Sequence, residues 1–330
     1  MARLTAWRGM SGPPDPEEPD EFGQIAALYA PLTRAEPAAL GLLDDVAVIP
    51  SRPGFDLVVT KDALVEGVHF PSGEDPGLIA RKALRTNLSD LAAKAAEPWG
   101  YFLAVSWPAG WRYDSRRAFA AGLELDGEIF GLSLLGGDTT STSGPLTISV
   151  TMLGWTPAGR AILRRGAQPG DGVFVTGTIG DGWLGLQAVL GVHKADVEAL
   201  SLRYRLPQPR TEFRETLRAH AHAAADVSDG LVADAAHIAR ASGVRMRIDL
   251  EAVPLSQGAR RWVGEGPGRA ERLVRLVTGG DDYEVLFAAP LDEAAAIGLS
   301  PIGLVLEGSG VEVRLEGAPV QIERAGYTHS

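Results

Sequence analysis

The chain has 330 residues, 45% of them hydrophobic and 22% charged, which allows two domains and a sizeable core. With 31 basic against 42 acidic residues its net charge is −11, so it has no general electrostatic attraction to nucleic acid or to an anionic membrane. Cysteine is absent, which excludes disulfides, thiolate nucleophiles, zinc–thiolate sites and iron–sulfur clusters. No run approaches the ~20 apolar residues of a membrane helix, and Met1 to Phe22 has no signal-peptide core. A cytoplasmic location is expected.

Residues 1–21 are rich in Pro, Asp and Glu and are expected to form a flexible tail. A short helix is predicted over Phe22 to Tyr29. Asp56 to Thr60 reads as a buried strand leading into a polar turn. Asp75-Pro76 is a helix start, with Asp as N-cap and Pro in the first position. That helix should run to about Ala96, with Ile79, Ala83, Leu84, Leu88, Leu91 and Ala95 as its apolar stripe. Thr86, Asn87, Asp90 and Lys94 share its polar face. Strands are predicted at Phe102 to Trp107 and Leu146 to Met152, the latter alternating cleanly between apolar and hydroxyl side chains. A helix over Ser115 to Phe130 and a short strand entering Gly136-Gly137-Asp138 lie between them.

A Gly/Pro-containing stretch from Gly154 to Gly159 marks an expected boundary between an N-terminal domain, 22–155, and a C-terminal domain, 156–330. The second half should hold a strand at Gly172 to Thr176, a helix at Trp183 to Leu190, a polar helical region near 195–220, a helix at Leu231 to Ala241 and a strand at Val285 to Ala288. No short-period repeat is present. Strands and helices alternate irregularly, which predicts mixed α/β and α+β layers.

The aspartates carry the chemical signal. Asp44-Asp45 precede an apolar run, Asp62 closes the strand of LVVTKD, and Asp90 lies on a helix. Asp138 follows two glycines, and Asp226 and Asp229 bracket Ser228. Nearly all sit at the expected ends of elements, beside small residues and apolar flanks, where a carboxylate is costly to bury unless paired or metal-bound. Hard oxygen donors without cysteine suit Mg²⁺, which bridges carboxylates to substrate phosphates. Taken singly, each aspartate is more simply a turn former or a cap; the shared design of separate segments favours a nucleotide–metal site. Ser228 and Asp229 are expected to cap the helix from Leu231, whose free N–H groups would also suit a phosphate. There is no Walker A sequence and no protein-kinase motif set. The glycine-rich turn Thr176 to Gly182 lacks dinucleotide-fingerprint spacing and is weak evidence for phosphate binding.

In order along the chain, LLDDVAVI, TKDALVEGVHF, RKALRTNLSDLAAKAAEP, GGDTT, RRGAQPGD, TGTIGDGWLGL, DVSDGLVAD and GGDDYEVLF resemble the thiamine-monophosphate kinase family. That family lies in the aminoimidazole-ribonucleotide synthetase-like superfamily; the resemblance runs from about Phe22 to Tyr327. It implies an N-terminal α/β dimerisation domain, a C-terminal α+β domain and a homodimer. The implied reaction is Mg-dependent transfer of the ATP γ-phosphoryl group to thiamine monophosphate. Asp45, Thr60, Asp62, Asp90, Asp138, Asp226 and Asp229 would hold several Mg²⁺ ions. Gly137, Asp138, Arg164 and Ser228 would meet ATP, and His69, Asp281 and Tyr327 the thiamine substrate. No residue is assigned as a general base.

Four places depart from the family pattern. Leu43 stands for glycine, Lys61 for Thr or Ser, Asp281 for Glu, and Lys94-Ala95 for an apolar–Gly pair. Lys61 would repel or replace one metal charge, and Leu43 would resist a positive φ. A related synthetase, or a nucleotide-binding homologue of weakened activity, stays open at this point.

Overall fold

The computed structural model describes residues 19–327. The expected tail thus lies outside the described residues up to position 18. Asp20 already caps a helix by accepting from the Gly23 amide. Among the described residues the chain divides into two compact units. Residues up to Pro53, Val59–Asn87 and Pro98–Gly154 form the first; Gly54–Val58, Leu88–Glu97 and everything from Trp155 form the second.

In the first unit, α1 (Glu21–Gln24) continues through a wider-wound turn to Tyr29. Strand β1 (Phe55–Val65) is followed by α2 (Pro76–Ala93), β2 (Glu97–Pro108), α3 (Tyr113–Phe130), β3 (Ser133–Thr142) and β4 (Thr147–Pro157). The sheet order is β1-β4-β2-β3, so β1 and β3 are its two edges. Strands β2 and β3 are parallel and joined through α3, with an irregularity in register at Tyr101/Phe102. Asp75 caps α2 through the Leu78 amide at 2.9 Å, as its sequence predicts. Every residue of the predicted α2 stripe is buried. So are Thr86 and Asn87 of the polar face.

Two strands are longer than expected, and this moves two aspartates. β1 runs three residues past Asp62 to Val65, and β3 runs four past Asp138 to Thr142. Asp62 and Asp138 therefore lie within strands rather than at their ends. In β1 the charged pair Lys61-Asp62 interrupts an apolar run that resumes at Ala63 to Val65, and β3 continues through the hydroxyl side chains Thr139 to Thr142. Helices α2 and α3 approach closely where a Cβ on Gly122 would lie 2.4 Å from the Gly77 carbonyl. The same pair is locked by Asp126, whose buried carboxylate accepts from Arg81 Nε at 2.9 Å and from Arg85 Nε at 2.6 Å.

The second unit is built on β5 (Asp171–Val175), α4 (Asp181–Val189), α5 (Val197–Arg205), α6 (Arg214–His220), β6 (Ala223–Asp226), α7 (Leu231–Ser242) and β7 (Arg245–Asp249). After these come α8 (Gln257–Val263), α9 (Arg269–Val277), β8 (Val285–Pro290), β9 (Gly303–Leu306), β10 (Gly310–Leu315) and β11 (Ala318–Pro319). The sheet order is β11-β10-β7-β9-β5-β8-β6. β7 and β10 pair in parallel, whereas β10–β11, β5–β8, β5–β9, β6–β8 and β7–β9 are antiparallel. Both faces are covered. Val173, Val175, Ala225 and Leu286 join the core that includes α7, and the alternate residues Phe174, Ala224 and Phe287 join one with Ala92, Ala93 and Ala95 at the end of α2. Phe174 and Phe287, paired across β5 and β8, stack at 5.4 Å. Among the described residues no helix is long and apolar enough to cross a membrane.

Removing Asp126 would leave two guanidinium groups without their shared carboxylate. Asp126→Ala should lower stability by about 3–5 kcal/mol in urea unfolding, a buried charge left uncompensated; a loss below about 1 kcal/mol would show that the pair is exposed in solution.

Candidate active site

The first unit presents a cavity of about 500 Å³. Asp44, Asp45, Gly136, Gly137, Asp138 and Thr139 line it together with Tyr29, Phe102 and Leu134. Carboxylates thus meet apolar side chains in one hollow, the mixture suited to a ligand with an anionic part, through cations, and a flat apolar part. The glycine at 137 is required by packing: a Cβ there would lie 1.9 Å from the Leu103 carbonyl. Asp45, Gly137 and Asp138 are brought together as predicted. Thr60 and Asp62 are not part of this group. They lie on the opposite edge strand, three strand spacings away, on the order of 14 Å.

Thr60 and Asp62 share one side of β1, and Lys61 points to the other. There Lys61 Nζ donates to Ser149 Oγ at 2.8 Å. Lys61 thus points away from Thr60 and Asp62 and is held by Ser149. Leu43 has φ −102°, so the family's glycine is not needed at that position; the left-handed residues are Leu40, Gly41 and Leu42 just before it. His69 accepts the Val65 amide on Nδ1 at 2.9 Å, which places the proton of the neutral ring on Nε2.

In the second unit the centre is Asp226, at the end of β6 and 4% exposed. Its carboxylate accepts from Ser89 Oγ at 3.0 Å. Burial, then Asp90 and Asp234, pushes its pKa well above the usual carboxylate range, while Ser89 and Lys94 oppose the rise. Two acidic groups held together in little water, with only oxygen donors, suit a hard divalent cation. Asp90 lies in the last turn of α2, one residue after Ser89.

Beyond Asp226 the chain turns through Val227, Ser228 and Asp229. The Asp281 amide donates to the Ser228 carbonyl at 2.8 Å and the Tyr327 amide to the Asp229 carbonyl at 2.9 Å. Ser228, Asp229, Asp281 and Tyr327 are thereby gathered by the backbone. Arg164 is exposed and close enough to Asp234, His237 and Lys94 to act on their charges. Ser228 and Asp229 do not cap α7, which corrects the sequence reading. The Asp234 carboxylate caps it instead, accepting the Asp229 and Gly230 amides at 3.2 Å each.

The GGDDYE segment divides its acidic residues by burial. Asp281 is half-exposed at φ 61°, a left-handed conformation that aspartate tolerates better than most residues. Asp282 is buried and accepts the Gly180 and Gly182 amides at 2.8–2.9 Å. Those amides of the glycine-rich turn are occupied by an internal carboxylate, not left open for phosphate. Glu284 is buried between Arg203 Nη2 at 2.7 Å and Arg210 Nη2 at 2.6 Å and accepts from Thr176 Oγ1 at 2.7 Å. Sequence reasoning missed Asp282, Glu284 and Asp234, which in the sequence look no different from the candidate-site carboxylates Asp281 and Asp229 beside them; burial separates them.

Residues 43–156 match the AIR synthase related protein N-terminal domain, and 168–316 its C-terminal domain. The thiamine-monophosphate kinase of Caulobacter vibrioides is 56% identical over 321 residues, 94% of this chain and 91% of that protein. The chain belongs to the thiamine-monophosphate kinases of the AIR synthase related family. Among solved structures, the thiamine-monophosphate kinase of Stenotrophomonas maltophilia K279a matches with TM-score 0.79 and 37% identity over 91% of this chain and 98% of that one. AaThiL complexed with AMPPCP and TMP matches with TM-score 0.75 and 30% identity over 93% and 97%. The two-domain synthetase-like fold expected from the motifs is the fold of this family.

Burial pushes the Asp282 carboxyl up to about 8, against the two amides and Arg203 that favour its charged form. Its unfolded value is about 4. Between about pH 4 and 8 the native state holds a proton the unfolded chain has lost, so this group's contribution to stability falls as pH rises through that window. Asp282→Asn should flatten the fall by on the order of 1 kcal/mol per pH unit in denaturant unfolding between pH 5 and 7.5. An unchanged slope would mean that Asp282 is ionised throughout.

Proposed function

We propose that the chain joins ATP and thiamine monophosphate by direct phosphoryl transfer, giving thiamine diphosphate and ADP. The observation that carries this reading is the 56% identity to a thiamine-monophosphate kinase over nearly the whole chain. The match to a family structure complexed with AMPPCP and TMP supports the substrate pair. An oxygen of the thiamine phosphate forms a bond to the γ-phosphorus as the bridging bond to ADP breaks. That oxygen is already anionic at neutral pH, so no side chain has to remove a proton.

What the protein supplies is position and charge. In the first unit Asp45, Asp138, Thr60 and Asp62 are the proposed metal-binding groups, with Gly137 allowing close approach of a nucleotide to the backbone. In the second, Asp90, Asp226 and Asp229 take that part, and Ser228 and Arg164 meet phosphate oxygens, Arg164 as a fork of donors. Bound Mg²⁺ ions would neutralise the two phosphate groups and hold them in line. His69, Asp281 and the exposed ring of Tyr327 are the proposed contacts of the thiamine substrate. Residues 22–155 are proposed as the ATP- and Mg²⁺-binding, dimerising domain and 156–330 as the C-terminal domain. A homodimer is proposed because β1 and β3 are both edges: a second copy can set the Thr60–Asp62 edge of one sheet against the Asp138 edge of the other.

Asp90→Asn removes a negative charge and keeps the shape. It should lower thiamine diphosphate formation at least about 100-fold, in line with losing one preorganised electrostatic contact, while ADP and thiamine diphosphate appear in equal amounts from the unaltered chain. Chromatography of the products decides the matter. Release of inorganic phosphate without thiamine diphosphate would rule out the kinase. Metal removal by chelation should stop the reaction and added Mg²⁺ restore it.

A further inference from the structure

Lys94 follows the last residue of α2, one helical turn beyond Asp90, so the two side chains leave the same face. Its Nζ donates to the Ala224 carbonyl at 2.7 Å. Ala224 precedes Asp226 by two residues on β6, and Ser89 Oγ reaches the Asp226 carboxylate at 3.0 Å from the same end of α2. The helix end and the strand are therefore tied on both sides of the acidic pair. An ordinary lysine at a helix C-terminus offsets the helix dipole from solvent. This one is largely withdrawn from water, which lowers its pKa to about 8; Asp226 and, less strongly, Asp90 favour its charged form. An apolar residue of similar length would fill the space without the cost of burying an ammonium. The proposed chemistry gives Lys94 no task.

We propose that Lys94 is a built-in counter-ion to the Asp90–Asp226 pair: it keeps the two carboxylates compatible in the metal-free protein and limits how tightly the pair then takes a divalent cation. The inference rests on the metal reading of that pair. Lys94 is a positioning residue in this scheme, touching neither substrate nor the reacting atoms. Its charge acts twice, with opposite signs. It stabilises the empty acidic pair and repels an incoming Mg²⁺. A purely structural lysine would stabilise both forms alike and leave the affinity for the ion untouched.

The test uses the full chain and Mg²⁺ alone, without nucleotide, and reads the thermal unfolding midpoint along a Mg²⁺ titration. Lys94→Gln removes the charge and keeps a donor for the Ala224 carbonyl. It should unfold at lower temperature than the unaltered chain without metal, gain more from Mg²⁺, and bind it at least about tenfold more tightly, the scale of removing a positive charge beside a dication at intermediate dielectric. Lys94→Arg keeps the charge and should bind Mg²⁺ within about twofold of the unaltered chain. If Lys94→Gln is unfolded without metal, recovery on adding Mg²⁺ supports the proposal and failure to recover overturns it. A Mg²⁺ affinity that Lys94→Gln leaves unchanged, while the unaltered chain responds to Mg²⁺, overturns this inference alone. An unaltered chain with no response to Mg²⁺ overturns the metal reading, and the inference falls with it.

Discussion

The Asp226 carboxylate has almost no water of its own, and much of the second unit's arrangement answers to that. It sits at the end of a strand whose four residues are all buried, beside a second carboxylate, with one hydroxyl donating to it. Burying a charge in this way costs several kcal/mol unless partners offset it. Ser89 and Lys94 both come from the end of α2, so the helix must stay docked on β6 for either to help. The alanines there allow this docking: Ala92, Ala93 and Ala95 pack against Phe174 and Phe287, where larger side chains would hold the helix off the sheet. Packing and electrostatics at this point are one constraint.

The segment from Gly280 to Glu284 shows the same economy. Gly280, Asp281 and Tyr283 all have positive φ, an expensive conformation for a bulky residue such as tyrosine. It is held by buried anchors on alternate residues, Asp282 into the Gly180 turn and Glu284 into two arginines. Because those anchors face inward, Asp281 between Gly280 and Asp282 is turned outward, next to Ser228. The strain is thus located where a side chain is presented, and the buried carboxylates keep the backbone from relaxing.

The legibility of the sequence followed the physics of each element. The α2 stripe and the alternation of β4 are legible as periods of the apolar residues; that Thr86 and Asn87 on the polar side of α2 are buried as well is not legible from that period. The full lengths of β1 and β3 are not legible because the charged pair Lys61-Asp62 interrupts the apolar run of one and the hydroxyl side chains Thr139 to Thr142 end the apolar pattern of the other. β7 is hard to read although Arg245 to Asp249 alternates, with Met246 and Ile248 buried, because the run is short and charged residues dominate it. The acidic motifs were visible, but their division of labour was not. Asp281 and Asp282 are chemically identical letters, and only burial makes one a presented group and the other an anchor.

The departures from the family pattern become intelligible on the same terms. A glycine is needed only where φ is positive, and Leu43 is on the permitted side. Lys61 changes the charge of a sheet face that Thr60 and Asp62 do not share. At φ 61° a shorter carboxylate is the cheaper choice, because Asp bears the left-handed region better than Glu, so Asp281 trades reach for backbone comfort. Ala95 is the exception. It occupies φ 54° at the end of α2, where glycine would be unstrained, yet its methyl is fully buried against the phenylalanines. The strain of about 1 kcal/mol and the burial of one methyl group are of similar size, so the chain loses little by keeping alanine, and Lys94 beside it brings a charge to the acidic pair that the family's apolar residue does not carry.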